Sequence, residues 1–457
     1  MNIIFIDRKD NNMILKKITI ENFRCFKNYE VDLTPGITVF IGKNGAGKTS
    51  LLNAIRYGLS VFFSNDSTMG DDLLISGNPD LKVISTLATD FYRAQNADLP
   101  AVDLTINMEA EFNDIPLNWE YYKRSTSGAS LFVSKYQQAY RTLMAEYHNS
   151  DQLPLFVFYS DSFPHIDTRT SDFAKKVIKE QGYIIRNFAY YKWNSEVSCT
   201  SIWQNRFINS MLKQISLNNT DPLNSKEVEY IKNKLRTFSE PINSTLKEKD
   251  DFEIKDFFPV VDDKTLSLYL RLKDGRDVIF DNLPAGYKRL YSIAFDLAYR
   301  LYILRKTNKE DPKGIAIIDE IDLHLHPSLE QEVLARLKKT FPSIQFIVST
   351  HSPMVLSNLK VKDTGNMIYR MHADENTPSA LPNLYGVDYS AAVYDFMGTP
   401  YADNEVKEEI EAILRLSRRG KSELVEKRKE ELKSMVSEEQ YMDIISKINT
   451  QLAEDKY

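Results

Sequence analysis

The sequence predicts an α/β protein built on a doubly wound, mainly parallel β-sheet. Near the N-terminus, the continuous run Ile37–Ile41, rich in β-branched residues, is typical of a fully buried strand, and a glycine-rich loop and an apolar helix follow it directly. Further along, strand-like and helix-like segments alternate from Leu266 to Ser349. Because such alternation is typical of parallel strands with helices on both faces, we expect the two blocks to share one domain.

The elements of each block follow in a definite order. The first block begins with Ile14–Ile20 and Tyr29–Leu33, which predict an antiparallel N-terminal hairpin before the buried strand. The second begins with a hairpin that turns at Asp274-Gly275. It continues with a helix, a buried strand, a second helix and another buried strand, for which the apolar positions span Leu290–Leu304, Ile315–Ile318, Leu329–Leu337 and Ile344–Ser349.

The remaining residues differ in character from these blocks. Residues 61–262 show no heptad repeat and one buried-strand candidate, Leu155–Tyr159, so we expect an inserted, mixed or helical lobe without a long coiled coil. Charged helices follow the second block, and Ser437 with Gln440 predicts a capping box before the last helix. The predicted domains are an N-terminal head part (1–60), the inserted lobe (61–262), a C-terminal head part (263–384) and a helical C-terminal interaction region (385–457).

Composition narrows the class of protein. Lys and Arg number 58 and Asp and Glu 64, and the net charge of −6 does not favour non-specific binding of nucleic acid. The two cysteines, Cys25 and Cys199, form no C-x-x-C pair, which argues against a zinc site or a disulfide framework. No apolar run reaches the roughly 20 residues that span a bilayer, and the N-terminus lacks the features of a signal peptide. We therefore expect a cytoplasmic protein without membrane contact.

The glycine-rich loop, Gly42-Lys43-Asn44-Gly45-Ala46-Gly47-Lys48-Thr49, fits the pattern G-x-x-x-x-G-K-[ST]. Its glycines allow backbone N–H groups to surround phosphate at the start of a helix. The alternative interpretation is a glycine-rich turn that occurs by chance. We expect Lys48 to contact the β- and γ-phosphates of ATP and the Thr49 hydroxyl to coordinate Mg²⁺. The predicted nucleotide-binding residues here are Gly42, Asn44, Gly45, Ala46, Gly47, Lys48, Thr49 and Ser50.

Polar residues also follow the two buried strands of the second block. Asp319 and Glu320 come directly after Gly314–Ile318, and the carboxyl ends of parallel strands form the crevice where ligands bind. Asp319 is expected to hold Mg²⁺, and Glu320 to activate the attacking water. His351 is expected beside the same crevice, where its imidazole can hydrogen-bond the γ-phosphate. The predicted catalytic residues are Lys48, Glu320 and His351; a solvated strand end and a structural histidine are the alternatives.

These motifs resemble the ABC-type ATPase heads of the RecF/SMC/Rad50 group. The resemblance covers residues 14–60 and 265–355 and includes the opening strand Ile20–Phe26, the stretch Ile321–Pro327 and the segment Thr350–Pro353. The most similar branch is the overcoming-lysogenisation-defect ATPases and, among those without a nuclease domain, the PtuA family of the Septu antiphage system. This last assignment depends on chain size, missing parts and the character of the tail.

The resemblance implies a second motif, usually written LSGGQ, that acts on the ATP of a partner subunit. Its counterpart is Leu283–Arg289, in which Pro284 replaces the family's serine and removes a hydroxyl donor. The N–H groups of Ala285 and Gly286 and the side chain of Lys288 are then expected to contact the partner's nucleotide, unless the segment is only a helix cap. Because a missing donor can slow a reaction on the order of 100-fold, we expect firm nucleotide binding and slow hydrolysis.

Other residues of the family pattern have less definite counterparts. Asp322 resembles a residue that crosses to the partner subunit, and we interpret it, His324 and His326 as interface and site-supporting residues in preference to a metal site. The glutamine that the family places near the nucleotide has three candidates, Gln137, Gln138 and Gln152. DNA stays open as a partner through the basic residues of the first hairpin, which otherwise form a solvated face: Lys16, Lys17, Arg24 and Lys27.

No D-x-D cluster follows a buried strand after His351, so the nuclease domain of many relatives is expected to be absent. The resemblance then implies an ATPase subunit of a prokaryotic antiviral complex that oligomerises through ATP-sandwiched heads. It would regulate a separately encoded nuclease, of the HNH type if the system is Septu. ATPases of retron and PARIS systems are close variants, and a RecF-like DNA-repair ATPase is a further alternative. The long insertion disfavours a transporter subunit.

Overall fold

The structure, a computed structural model, divides into two compact units, residues 1–386 and 387–457. The residues that it describes are 13–64, 81–95, 98–126, 131–166, 186–194, 197–198, 200–216, 222–242, 252–261, 266–305, 310–362, 364–389, 392, 396 and 404–454. Cys199 lies outside them.

The strands found among the described residues belong to the first unit. They are β1 Met13–Phe23, β2 Phe26–Asp32, β3 Ile37–Ile41, β4 Leu104–Phe112, β5 Ile115–Lys123, β6 Leu155–Tyr159, β7 His165–Ile166, β8 Val197–Ser198, β9 Ile254–Val261, β10 Leu266–Leu272, β11 Asp277–Ile279, β12 Gly314–Ile318, β13 Ile344–Ser349, β14 Met367–Arg370 and β15 Ser379–Ala380.

The helices occur in both units. Those of the first unit are α1 Lys48–Ser60, α2 Gln137–Ser150, α3 Thr200–Ser216, α4 Pro222–Ser239, α5 Ala285–Leu304, α6 Pro327–Thr340 and α7 Pro353–Ser357. Those of the second unit are α8 Asn404–Arg418, α9 Ser422–Met435 and α10 Glu438–Glu454.

A six-stranded sheet forms the centre of the first unit. Its order is β15-β14-β3-β13-β12-β6, and β15 alone runs antiparallel to its neighbour. Every residue of β3, β6, β12 and β13 is buried, as their predominantly apolar and β-branched sequences predict. The predicted α/β class with a mainly parallel sheet is confirmed.

An antiparallel sheet of order β2-β1-β4-β5 lies beside the central sheet. The predicted N-terminal hairpin is confirmed as β1 and β2. The side-chain amide of Gln345 on β13 joins the two sheets, because it donates to the carbonyl of Leu15 and accepts from its N–H, both at 2.8 Å. A buried amide whose donor and acceptor are both used fixes the distance between the sheets.

Strands β4, β5 and β6 come from the segment that the sequence analysis assigns to an inserted lobe. In the structure β4 pairs with β1, and β6 pairs with β12. Burial along β4 alternates with a period of two, so a strand signal is present in its sequence, Leu104 to Phe112. This alternation is a weak signal, because the polar residues of β4 lie at its less buried positions and lower its overall hydrophobicity.

Helix α5 anchors several elements through a buried carboxylate. Asp296 accepts hydrogen bonds from the Tyr159 hydroxyl at 2.7 Å, Trp203 Nε1 at 2.7 Å and Arg300 Nε at 2.5 Å. These partners belong to β6, α3 and α5. Because a buried carboxylate is costly unless its oxygens are paired, this network favours one arrangement of the three elements. The hairpin predicted to precede α5 is confirmed as β10 and β11.

The described residues of the second unit include three helices that share an apolar core. Ile413 and Leu414 of α8, Leu432 of α9, and Ile444 and Ile448 of α10 are buried in one cluster. The predicted capping box is present, because the Gln440 N–H donates to Ser437 Oγ and the Ser437 N–H donates to Gln440 Oε1. In the parts of both units that the structure describes, no helix has the length and apolar character needed to cross a bilayer.

Lys338 provides a test of packing near the end of α6. Its ammonium donates to the carbonyl of Ile344 at 2.9 Å, and burial, with a contribution from Lys313, lowers its pKa from 10.5 to about 8. The folded protein therefore binds this proton more weakly than the unfolded chain. The resulting penalty is complete below the folded pKa and disappears as the pH rises towards the unfolded value.

We expect the wild type to gain stability relative to Lys338→Met, by on the order of 1 kcal/mol, between about pH 7 and about pH 9.5. Urea unfolding at both pH values measures the difference. Lys339→Met is the matched control, since Lys339 is exposed and paired with Glu240. An unchanged difference between the wild type and Lys338→Met would contradict the assignment.

Candidate nucleotide site

The phosphate loop connects β3 to α1 in a conformation that requires glycine. Gly45 and Gly47 have φ angles of +82° and +96°, a region that side chains with a Cβ rarely enter. A Cβ on Gly47 would also lie 2.8 Å from the Phe26 ring. At Gly45, by contrast, no atom lies within 4 Å of the position that a Cβ would take, so the backbone there faces open space that a ligand can fill.

A cavity of about 270 Å³ opens above this loop. It brings the predicted loop residues together with Glu320 and His351, and its lining consists of Cys25, Asn44, Gly45, Gly47, Lys48, Thr49, Ser50, Glu320 and His351. Two other predicted residues, Ala46 and Asp319, lie next to lining residues in the chain, whereas Gly42 lies two residues before Asn44. Strands β3, β13 and β12 are neighbours in the sheet, which explains why their ends converge here.

Lys48 begins α1 and is only 7% exposed. Its ammonium donates to the carbonyl oxygens of Gly42 at 2.8 Å and Lys43 at 3.3 Å. Burial lowers the pKa of Lys48, and the nearby carboxylates of Asp319 and Glu320 oppose that shift. The ammonium is thus held beside the loop, where it can form a charge-assisted hydrogen bond to a phosphate group.

The turn after β12 holds the two predicted carboxylates. Asp319 is 2% exposed, and its Oδ1 accepts a hydrogen bond of 2.5 Å from the Ser349 hydroxyl. Glu320 has a φ of +47°, and its N–H donates to the same Ser349 oxygen at 2.8 Å. Burial, followed by the charge of Asp319, raises the pKa of the Glu320 carboxyl. A carboxylate with a raised pKa is a better proton acceptor than an ordinary one.

The segment after β13 is fixed by Asp322. Its Oδ1 accepts hydrogen bonds from the Thr350 hydroxyl at 2.6 Å and from the His351 N–H at 3.2 Å. Asp322 therefore supports the histidine within its own chain, which agrees with the site-supporting part of its predicted role.

The oxygen donors present fit Mg²⁺. Thr49, which bears a hydroxyl, lines the cavity, and the carboxylate residue Asp319 directly follows β12. Mg²⁺ prefers hard oxygen ligands of this kind, completed by phosphate oxygens and water. The nearby Lys48 ammonium adds a positive charge that, together with Mg²⁺, suits a polyphosphate.

No residue of the segment Leu283–Arg289 lines this cavity. Pro284 and Ala285 are exposed, whereas Gly286 is buried, and a Cβ on Gly286 would lie 2.4 Å from the carbonyl oxygen of His324. The Lys288 ammonium donates to the carbonyl of Asp281 at 2.8 Å. Neither Gly286 nor Lys288 lines the cavity of its own chain, so their predicted contact with a partner's nucleotide stays a prediction.

Two histidines and three glutamines of the family pattern also lie outside the cavity. His326 caps α6, since its ring nitrogen accepts from the Ser328 N–H. The backbone of His324 packs against Gly286. The candidate glutamines belong to α2 and the segment before β6: Gln137, Gln138 and Gln152.

Sequence reasoning assigned no site role to several residues that the structure brings to the carboxylates. The segment Ser160–Ser162 follows β6, which is parallel to β12, so it ends at the same edge as Asp319. The signal was a polar stretch after a buried run. Cys25 and Ser349 belong to longer motifs of the sequence and carry no individual prediction. Arg289 donates to the carbonyls of Asp319 and Glu320, and no local sequence pattern indicates these tertiary contacts.

The basic residues of the first hairpin are largely ion-paired. Lys16 pairs with Glu111 at 2.5 Å, and Arg24 pairs with Asp90 at 2.9 Å. Lys17 pairs with Glu30 in the same way. These pairs reduce the positive charge that the hairpin could offer to nucleic acid.

A phosphate loop, a carboxylate pair at a strand end and a histidine around one cavity define a nucleoside-triphosphatase of the phosphate-loop class. Comparison with protein families agrees, because the AAA ATPase domain model matches residues 13–356. The chain belongs to this AAA ATPase domain family and is an ATPase.

Individual proteins similar to this chain include a retron ATPase and a Septu protein. The retron Vc95 probable ATPase of Vibrio cholerae serotype O1 biovar El Tor is 24% identical over 409 residues, with 78% of this chain and 74% of the relative covered. The Septu protein PtuA of Bacillus mycoides (strain KBAB4) is 23% identical over 381 residues, with 81% of this chain but only 43% of the relative covered. These relatives confirm the resemblance to the PtuA group.

Among solved structures, the SMC head domain from Thermotoga maritima matches with a TM-score of 0.41 and 12% identity. The match covers 80% of this chain and 98% of the SMC chain.

Replacing Lys48 tests the cavity directly. We expect Lys48→Ala to weaken ATP binding by about 10- to 100-fold, because a buried charge-assisted hydrogen bond to phosphate is lost. Titration with a fluorescent ATP analogue measures the affinity. Lys43→Ala is the matched control, since Lys43 lies in the same loop but its side chain is exposed. Equal weakening by both substitutions would contradict the assigned role.

Proposed function

We propose that this ATPase is a subunit of a prokaryotic antiviral defence complex of the Septu PtuA type, in which it regulates a separately encoded nuclease. The observation that carries the proposal is the convergence of Lys48, Glu320 and His351 on one cavity, in a chain whose relatives include a Septu protein and a retron ATPase. A switch of this kind needs a nucleotide site but no nuclease chemistry of its own.

In the proposed site, the loop amides and Lys48 bind the phosphates of ATP and neutralise their charge. Thr49 and Asp319 hold Mg²⁺, which would supply further charge neutralisation at the phosphates. Glu320 orients the attacking water and accepts its proton, and its raised pKa supports that task. His351 hydrogen-bonds the terminal phosphate and distinguishes the triphosphate from the diphosphate.

A second copy completes the site in this proposal. Pro284 and Ala285 are the exposed residues at the start of α5, and a helix N-terminus offers N–H groups and a positive dipole end to an anion. The N–H groups near Gly286, with Lys288, therefore approach the ATP of the partner subunit. Because Pro284 offers no hydroxyl, we infer slow hydrolysis, so that the bound state lasts long enough to act as a signal.

The C-terminal helices α8 to α10 are the proposed contact region for further subunits or for the nuclease. They form a unit with its own core and carry exposed apolar side chains at Leu424, Met435 and Met442. Nucleotide-dependent association of heads would then change which arrangement of the complex is populated, and with it the access of the nuclease to DNA.

Glu320→Gln tests the nucleotide-dependent association. Gln keeps the shape of Glu but cannot accept a proton, so hydrolysis should fall by about 100-fold or more while ATP still binds. We expect the variant to accumulate as an ATP-dependent dimer, measured by light scattering after size-exclusion chromatography. Adding Lys48→Ala should abolish that dimer. A variant that binds ATP and stays monomeric at every concentration would rule out the sandwich.

Co-purification tests the proposed partner. We expect the full-length chain, expressed with the genes that flank it, to retain a nuclease on an affinity column, and the nuclease activity to depend on ATP. If the chain elutes alone and the flanking products do not bind, the defence role fails. ATP-stimulated, salt-sensitive binding of the lone chain to DNA ends or gaps would instead favour the RecF-like alternative.

A further inference from the structure

Arg289 makes an unusual set of contacts at the start of α5. The residue is 2% exposed, and its guanidinium donates to four backbone carbonyl oxygens. Nη1 donates to Asp161 at 2.6 Å and to Phe163 at 3.0 Å. Nη2 donates to Asp319 at 2.8 Å and to Glu320 at 3.1 Å. One side chain thus joins the helix to the segments that follow β6 and β12.

These contacts bear on the conformation of Glu320. Its φ of +47° is uncommon for a residue other than glycine and costs free energy unless the surroundings hold it. The Glu320 N–H donates to Ser349 Oγ, and the Glu320 carbonyl accepts from Arg289. Hydrogen bonds on both sides of this residue therefore hold the backbone from which its carboxylate extends.

The same helix also contacts this turn at a second point. Gly286 packs against the carbonyl of His324, where a Cβ would leave only 2.4 Å. Arg289 and Gly286 lie one helical turn apart, and both contact residues 319–324. Because the two contacts are short and involve backbone, a displacement of the first turn of α5 must displace Glu320 as well.

We propose that Arg289 is a positioning residue that aligns Glu320 in response to a nucleotide docked at the first turn of α5. This inference rests on the proposed function, in which that nucleotide is the partner subunit's ATP. Arg289 then makes hydrolysis in each half-site depend on occupancy of the other. It acts only through the backbone of Glu320 and touches neither ATP nor water.

Arg300 provides a matched control on the same helix. It is also 2% exposed, and it donates to Asp296 and to the carbonyls of Ala189 and Tyr191. None of these partners belongs to the turn after β12 that holds Asp319 and Glu320. A general loss of packing or of a buried charge should therefore affect substitutions at both arginines alike, whereas loss of positioning should affect Arg289 alone.

The experiment compares Arg289→Lys with Arg300→Lys in the full-length chain. A lysine ammonium is a point donor without the guanidinium's planar fork, so it cannot serve the four carbonyls. We expect Arg289→Lys to lower kcat by about 10- to 100-fold, with ATP affinity and ATP-dependent dimerisation close to those of the wild type. Arg300→Lys should leave kcat within about threefold of the wild type.

A second measurement does not require turnover. With a non-hydrolysable ATP analogue, hydrogen exchange in residues 319–325 should slow on dimer formation in the wild type and in Arg300→Lys, but not in Arg289→Lys. Because exchange reports on folded molecules directly, it also decides the matter if Arg289→Lys is less stable. Ser349→Ala, which removes the hydrogen bond on the other side of Glu320, should lower kcat in the same way.

The outcomes separate this inference from the proposed function. If the wild type dimerises with ATP but Arg289→Lys retains its kcat and its exchange response, the positioning role is wrong and the proposed function stands. An equal loss of kcat in both arginine variants would likewise overturn it. If the wild type shows no nucleotide-dependent association, the sandwich itself fails, and with it the link between half-sites.

Discussion

The site depends on one constraint: strands β3, β13 and β12 are adjacent in the same parallel sheet. Each strand ends in a polar element: the phosphate loop after β3, His351 after β13 and the Asp319–Glu320 pair after β12. Because the strands are parallel and paired in register, their carboxyl ends meet at one edge of the sheet. The reacting groups that follow these strands therefore lie close together. The burial of these strands therefore stabilises the fold and sets the spacing of the reacting groups.

Hydrogen bonds beneath the cavity add the orientation that strand order alone does not provide. The Ser349 hydroxyl contacts Asp319 and Glu320 together, and the carboxylate of Asp322 holds the segment that carries His351. These supporting groups come from the same strand ends as the residues that they position. A substitution among them can therefore alter the geometry of catalysis while the phosphate loop stays intact.

Much of this arrangement could be predicted from the sequence, because buried apolar runs that end in glycine-rich or acidic motifs are local signals. The phosphate loop, the carboxylate pair and the mainly parallel sheet are of this kind. Strands β4 and β6 fall within the segment predicted to be a separate lobe. Their pairing with β1 and β12 joins residues far apart in the chain, so no local pattern indicates it. The clamp of Arg289 on four carbonyls leaves no periodic trace, so only the folded chain reveals it.

The incorporation of β4, β5 and β6 into the two sheets has a consequence for how such ATPases diversify. The stretch between the phosphate loop and the Asp-Glu strand is not a cassette that can be excised or exchanged whole, because its removal would expose the backbone edges of β1 and β12. Variation in length is tolerable in the connections between these strands. Grafting experiments on this scaffold should keep all three strands with the recipient and exchange only the segments that link them.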